Sequence, residues 1–140
     1  MQMTRRDLFA LAAGLAAAGL IRMPAHADEA KVEAAIKEFA GGMPETGGVE
    51  LGAPEIAENG NTVPIEVAAA GATSIMILAS GNPNPGVGTF HFTAMSAESR
   101  ASTRIRLAQT QDVVAVAKMA DGSTKMARRE IKVTIGGCGG

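Results

Sequence analysis

The stretch VPIEVAAAGATSIMILAS, residues 63–80, decides how the rest of the chain is read. Val63, Ile65 and Val67 alternate with Pro64 and Glu66, the period of two that gives a strand one inward and one outward face. The spacing predicts a strand over Val63–Ala70, a turn at Gly71, and a short, fully apolar strand over Ser74–Ser80. Downstream, residues 81–86 (GNPNPG) form a loop. Thr89–Ala94 alternates again, with Phe90 and Phe92 on one side and His91 on the other. Arg100–Ala108 points Ile105 and Leu107 inward, and Val113–Met119 is apolar. Asp121-Gly122 signals a hairpin. Lys125–Arg128 begins the return strand, and Glu130–Ile135 completes it with Ile131, Val133 and Ile135 inward.

Upstream the period changes. Val32, Ala35, Ile36 and Phe39 follow the spacing of one apolar helical face, so Asp28–Ala40 reads as an amphipathic helix. Asp28 and Glu29 suit its first turn, and Gly41-Gly42 before Pro44 ends it. One helix followed by about seven short strands implies a mainly β protein. The expected fold is an immunoglobulin-like antiparallel β-sandwich with one N-terminal amphipathic helix and a flexible C-terminal arm.

Composition agrees. Tryptophan and tyrosine are absent and phenylalanine occurs four times, so the core must be built from smaller aliphatic residues, with methionine as filler. Seventeen glycines favour a turn-rich β chain over a helical bundle. Charge is segregated along the chain. Residues 28–66 carry nine acids and two lysines, and residues 67–97 carry no charge, which marks them as the expected buried centre. Residues 98–132 carry eight bases and four acids. The slightly acidic balance argues against nucleic acid and anionic membrane as partners.

Met1–Ala27 reads as an export leader. A charged start precedes a short apolar run, Leu8–Ile21, and a small-residue cleavage signal, Ala25-His26-Ala27. Thr4-Arg5-Arg6-Asp7-Leu8-Phe9 is similar to the twin-arginine signal, with Leu8 and Phe9 in swapped order and Ala10 where lysine is common; an ordinary secretory signal is the alternative. This implies a prokaryotic source, an extracytoplasmic destination, and a mature domain over residues 28–135 followed by the arm at 136–140.

The arm carries the chemistry. It reads Gly136-Gly137-Cys138-Gly139-Gly140, and Cys138 is the only cysteine. Glycine at Gly136, Gly137, Gly139 and Gly140 removes every neighbouring side chain and favours flexibility. Five such residues reach roughly 16 Å, far enough to enter a narrow channel. A cysteine without a partner in an exported protein implies either intermolecular pairing or a working thiol. Its own chain does not activate it: Lys132 is the nearest base in sequence, and the Gly140 carboxylate disfavours a thiolate.

This arm on a small exported β-domain resembles the SoxY family, the sulfur carriers of the bacterial Sox thiosulfate-oxidising system, which is marked by a carboxyl-terminal Gly-Gly-Cys-Gly-Gly. The resemblance implies a periplasmic, non-enzymatic carrier with no cofactor of its own. Cys138 would hold thiosulfate-derived intermediates, and a heterodimer with SoxZ is expected. SoxAX would conjugate thiosulfate to Cys138, SoxB would hydrolyse off sulfate, and SoxCD would oxidise the remaining sulfur where present. Two other readings stay open: an adaptor that uses Cys138 for an intermolecular disulfide, and a thiol enzyme in its own right.

Other features weigh less. His91 with one distant cysteine makes no metal cluster and reads as a surface residue. Arg100, Ser102, Arg104 and Arg106 share one strand face. Arg100, Arg104 and Arg106 are candidates for contact with an anion or an acidic partner, and Arg128 and Arg129 would extend that surface.

Overall fold

The alternation at residues 63–68 becomes a strand with Val63, Ile65 and Val67 buried and Pro64 and Glu66 exposed. The computed structural model describes residues 25–135. In chain order these form α1 (Ala25–Ala40), β1 (Glu45–Thr46), β2 (Glu50–Gly52), β3 (Ile56–Ala57), β4 (Val63–Ala68) and β5 (Ala72–Ala79). They continue with β6 (Gly86–His91), β7 (Arg100–Ile105), β8 (Gln111–Met119) and β9 (Thr124–Val133). The larger sheet runs β1-β9-β8-β5-β6 with β3 also on β9, and the smaller runs β2-β4-β7.

The two sheets close over one apolar cluster. Val63, Ile65, Val67 and Ile105 from the smaller sheet meet Ile75, Ile77, Val113 and Ile131 from the larger. Behind the larger sheet, Leu78, Val114 and Val116 pack against Val32 and Ile36 of α1. Strands β5 and β8 are thus covered on both faces, which is why their sequences are almost continuously apolar. Each fully buried aliphatic side chain contributes about 1.5–3 kcal/mol relative to exposure.

The ends of the elements follow local chemistry. Gly41 stops α1 at φ 73°, its N–H donating to the Lys37 carbonyl at 2.8 Å. The β8–β9 hairpin turns at Gly122, φ 88°. Beside it the Asp121 carboxylate accepts from the Ser123 hydroxyl at 2.6 Å and the Ser123 N–H at 2.8 Å. Those bonds hold the Asp121 carboxyl below its ordinary range.

Several expectations need correction. Strands β1 to β3 lie where no periodicity was visible, because elements of two or three residues show none. Both β1 and β3 run parallel to β9, so the sandwich is not wholly antiparallel. The return strand is one ten-residue element. Only the first half of the charge-free stretch is the buried centre. Its second half forms β6, an exposed edge strand in which Gly86 and Gly88 have no side chain to bury. Phe90 and Phe92 alone anchor that region to the core. Met43 and Met95 are 61% and 95% exposed rather than core-filling. Ile135, expected inward, is 67% exposed because β9 ends two residues earlier. Of the expected leader, only Ala25–Ala27 fall within the described residues, where they open α1.

Candidate functional site

The arm Gly136–Gly140, with Cys138, lies outside the described residues; the place from which it departs does not. The carboxyl end of β9 is held by a hydrogen bond at nearly every residue. Lys132 N–H donates to the Glu55 carbonyl at 3.0 Å, and Thr134 N–H donates to the Ala57 carbonyl at 3.1 Å. Val133 N–H donates to the Thr110 hydroxyl at 2.9 Å from the other side. The last described carbonyl, that of Ile135, accepts from Gly60 N–H at 2.9 Å. The short parallel strand β3 and the turn after it therefore clamp the root of the arm. Whatever follows Ile135 starts from a fixed point.

The same turn reaches the two residues that follow β7. The Gly60 carbonyl accepts from Leu107 N–H at 2.8 Å, so Gly60 bridges the root of the arm and the end of the arginine-bearing segment. Beside it, the Asn61 side-chain oxygen accepts from Arg106 Nε at 3.2 Å and Nη2 at 2.9 Å. The Arg106 carbonyl accepts from Asn82 Nδ2 at 2.7 Å. Arg106 is anchored through both its backbone and its side chain, yet it is exposed and has no carboxylate partner among the described residues.

The three candidate arginines have three different environments. Arg100 pairs with Glu66, with Glu98 at 3.3 Å and with Glu50 at 3.5 Å. Its hydrogen bond to Glu66, followed by the charge of that carboxylate, raises its pKa further. It is neutralised by its own fold and offers little to an external anion. Arg104 lines an open groove of about 540 Å³ with Pro64, Glu66 and Ser102. Arg106 is bonded to Asn61, and the next residue, Leu107, bonds the same Gly60 that holds Ile135. Arg128 does not extend this surface: on β9 of the other sheet, it pairs with Asp112 at 3.3 Å and Glu29 of α1 at 3.8 Å. Arg129 lies beside Glu55, Ile56 and Lys132 on β9, not on β7. His91 is an exposed residue of β6.

Sequence reading missed Gly60, Asn61, Asn82 and Thr110. The turn-forming run Glu58-Asn59-Gly60-Asn61 was a signal for a loop, with Asn61 N–H bonded to Asn59 Oδ1 at 2.9 Å. Nothing in it foretold that it would meet residues 45 positions away.

Residues 36–138 match the family model described as sulfur oxidation protein SoxY. The fold is similar to that of the sulfur carrier protein SoxY from Chlorobium limicola f thiosulfatophilum, with 37% identity and a TM-score of 0.66, over 76% of this chain and 99% of that one. It is also similar to the superoxide reductase (neelaredoxin) from Ignicoccus hospitalis, with 22% identity and a TM-score of 0.55, over 71% of this chain and 86% of that one. A putative superoxide reductase from Thermotoga maritima gives 18% identity and a TM-score of 0.53, over 69% and 91%. At these identities the reductases share the fold alone. Comparison with curated proteins gives no match.

Proposed function

The chain belongs to the SoxY family of sulfur oxidation proteins, and from that membership we propose that it is a periplasmic carrier holding thiosulfate-derived sulfur covalently on Cys138. The observation that supports this most is the juxtaposition of a clamped root at Ile135 with five residues whose only side chain is one thiol. A fixed departure point followed by glycine lets a sulfur atom travel while the body stays docked. The leader is of twin-arginine type, so export of the folded chain with a bound SoxZ is part of the proposal.

The chemistry balances with enzymes outside this chain. The Cys138 thiol and thiosulfate form a new S–S bond, releasing one proton and passing two electrons to the haem enzyme SoxAX. Water then splits the terminal S–S bond of the thiosulfonate under SoxB, giving sulfate, two protons and a persulfide anion on Cys138. SoxCD, where present, oxidises that persulfide further. No residue described here is assigned either step; the chain binds, presents and releases.

Replacing Cys138 with serine tests this in cells grown on thiosulfate. Sulfate formation is expected to fall to background while the domain folds as before. Sulfate formation that persists overturns the proposal. So does a reductant-sensitive covalent dimer as the dominant state of the wild type, which would support the adaptor reading.

A further inference from the structure

We propose that Asn59, in the turn that holds the end of β9, is a site of spontaneous modification: its side-chain amide closes onto the Gly60 nitrogen, and the hydrogen bond from that nitrogen to Ile135 is the brake on the reaction. The inference is independent of the carrier reading, because it concerns residues of the body alone.

The chain has four asparagines, and three are unsuited to this chemistry. Asn82 and Asn84 each precede proline, whose nitrogen has no proton to lose and cannot serve as the nucleophile. Asn61 precedes the β-branched Thr62, which crowds the nitrogen, and its side-chain oxygen is held by Arg106 at 2.9 and 3.2 Å. Asn59 precedes glycine, which has no Cβ to shield its nitrogen. Asn59 is exposed, so water and base reach it. Its Oδ1 accepts from Asn61 N–H at 2.9 Å, which folds the side chain back over the Gly60 peptide and draws electron density away from Cγ.

One observation opposes the reaction. Gly60 is buried, and its N–H donates to the Ile135 carbonyl at 2.9 Å. The nitrogen must lose that proton to attack, so conversion waits on local opening of the turn from the end of β9. Once open, the Gly60 nitrogen gives up its proton and bonds to Asn59 Cγ. The Cγ–Nδ2 bond breaks, ammonia leaves with the proton, and a succinimide ring remains. Water then opens the ring at either carbonyl, leaving aspartate or isoaspartate, with no change of oxidation state. The isoaspartate route adds one carbon to the backbone before Gly60. Gly60 also accepts from Leu107 N–H at 2.8 Å, so the added atom displaces the residue that ties Ile135 to Leu107.

The purified mature chain, incubated at mildly alkaline pH, tests this. The peptide containing Asn59 is followed by mass spectrometry for the gain that replacing an amide by a carboxyl gives, and isoaspartate is counted by enzymatic methylation. The wild type in urea sets the rate without the fold. Two truncations isolate the brake, and both keep β9 whole. One ends at Thr134 and removes the acceptor; the other ends at Gly136 and keeps it. The folded wild type is expected to convert, but more slowly than in urea. The chain ending at Thr134 should convert roughly two- to tenfold faster than the folded wild type, the scale of one net hydrogen bond. The chain ending at Gly136 should match the wild type, and Asn59→Gln should abolish conversion. In the isoaspartate fraction the Leu107 amide proton should exchange faster than in the unconverted chain. The proposal is overturned if the folded wild type stays unconverted while the urea sample converts, or if the two convert equally fast. It is also overturned if both truncations convert at one rate, or if Asn59→Gln still converts. None of these results touches the carrier reading, which depends on Cys138.

Discussion

Residues 124–135 and residues 136–140 are adjacent in the chain and built on opposite principles. The first segment is β9 and its extension, paired with β8 along its length and pinned at its end by the Glu55, Ala57, Gly60 and Thr110 backbone and side-chain groups. The second offers no side chain except one thiol. Under the proposed function, stability resides in the first and chemistry in the second. The contrast teaches that a carrier separates the two: the body can be optimised for packing without touching the reactive atom.

That separation can be broken from either side. The largest expected effect is on the body. Leu78→Ala, which empties a fully buried site beneath α1, should lower unfolding free energy by about 2–5 kcal/mol in denaturant titration. Cys138 in the remaining folded protein should still react with iodoacetamide at the wild-type rate. The converse variant, Cys138→Ser, should leave the denaturation midpoint unmoved; a shift would place the sulfur within the packed structure. A smaller effect concerns reach. Replacing Gly136 and Gly137 with proline stiffens the tether into an extended rod. Enzyme-dependent loading should fall by about tenfold, because the sulfur's effective concentration at a partner's active site drops, while small-molecule alkylation is unchanged. Equal loss in both assays would mean that the glycines serve the thiol's environment and not its travel.

The smallest effect sharpens the difference between the two arginines. Arg100→Gln leaves Glu50, Glu66 and Glu98 facing one another without their shared cation. A slight fall in melting temperature is expected, fading at high salt as exposed charges are screened. Loading of Cys138 should be unaffected. An effect on loading but not on melting would mean that Arg100 meets the cargo or a partner enzyme despite its carboxylate neighbours.

Much of this was legible in the sequence, for physical reasons. The buried pair Val32 and Ile36, the alternation of β4 and the apolar runs of β5 and β8 are local patterns set by periodicity, and they survive folding. Cys138 is a candidate reactive group on sequence grounds alone, as the single cysteine among four glycines, and it lies outside the described residues. What escaped was non-local. Strands β1 and β3 exist only because β9 offers them an edge. The exposure of β6 depends on its place at the rim of the sheet, which a charge count along the chain does not reveal. Spacing alone made Arg100, Arg104 and Arg106 equivalent; only the fold shows that Arg100 is ringed by carboxylates while Arg106 is held by the Asn61 amide.

The central claim is that covalent cargo resides on Cys138, and intact-mass analysis with peptide mapping of the chain taken from thiosulfate-grown cells tests it most directly. The account predicts a reductant-labile mass increase of thiosulfonate or persulfide type, located in the Gly136–Gly140 peptide and absent from acetate-grown cells. A chain that carries the same unmodified mass under both conditions, during active thiosulfate oxidation, would contradict it.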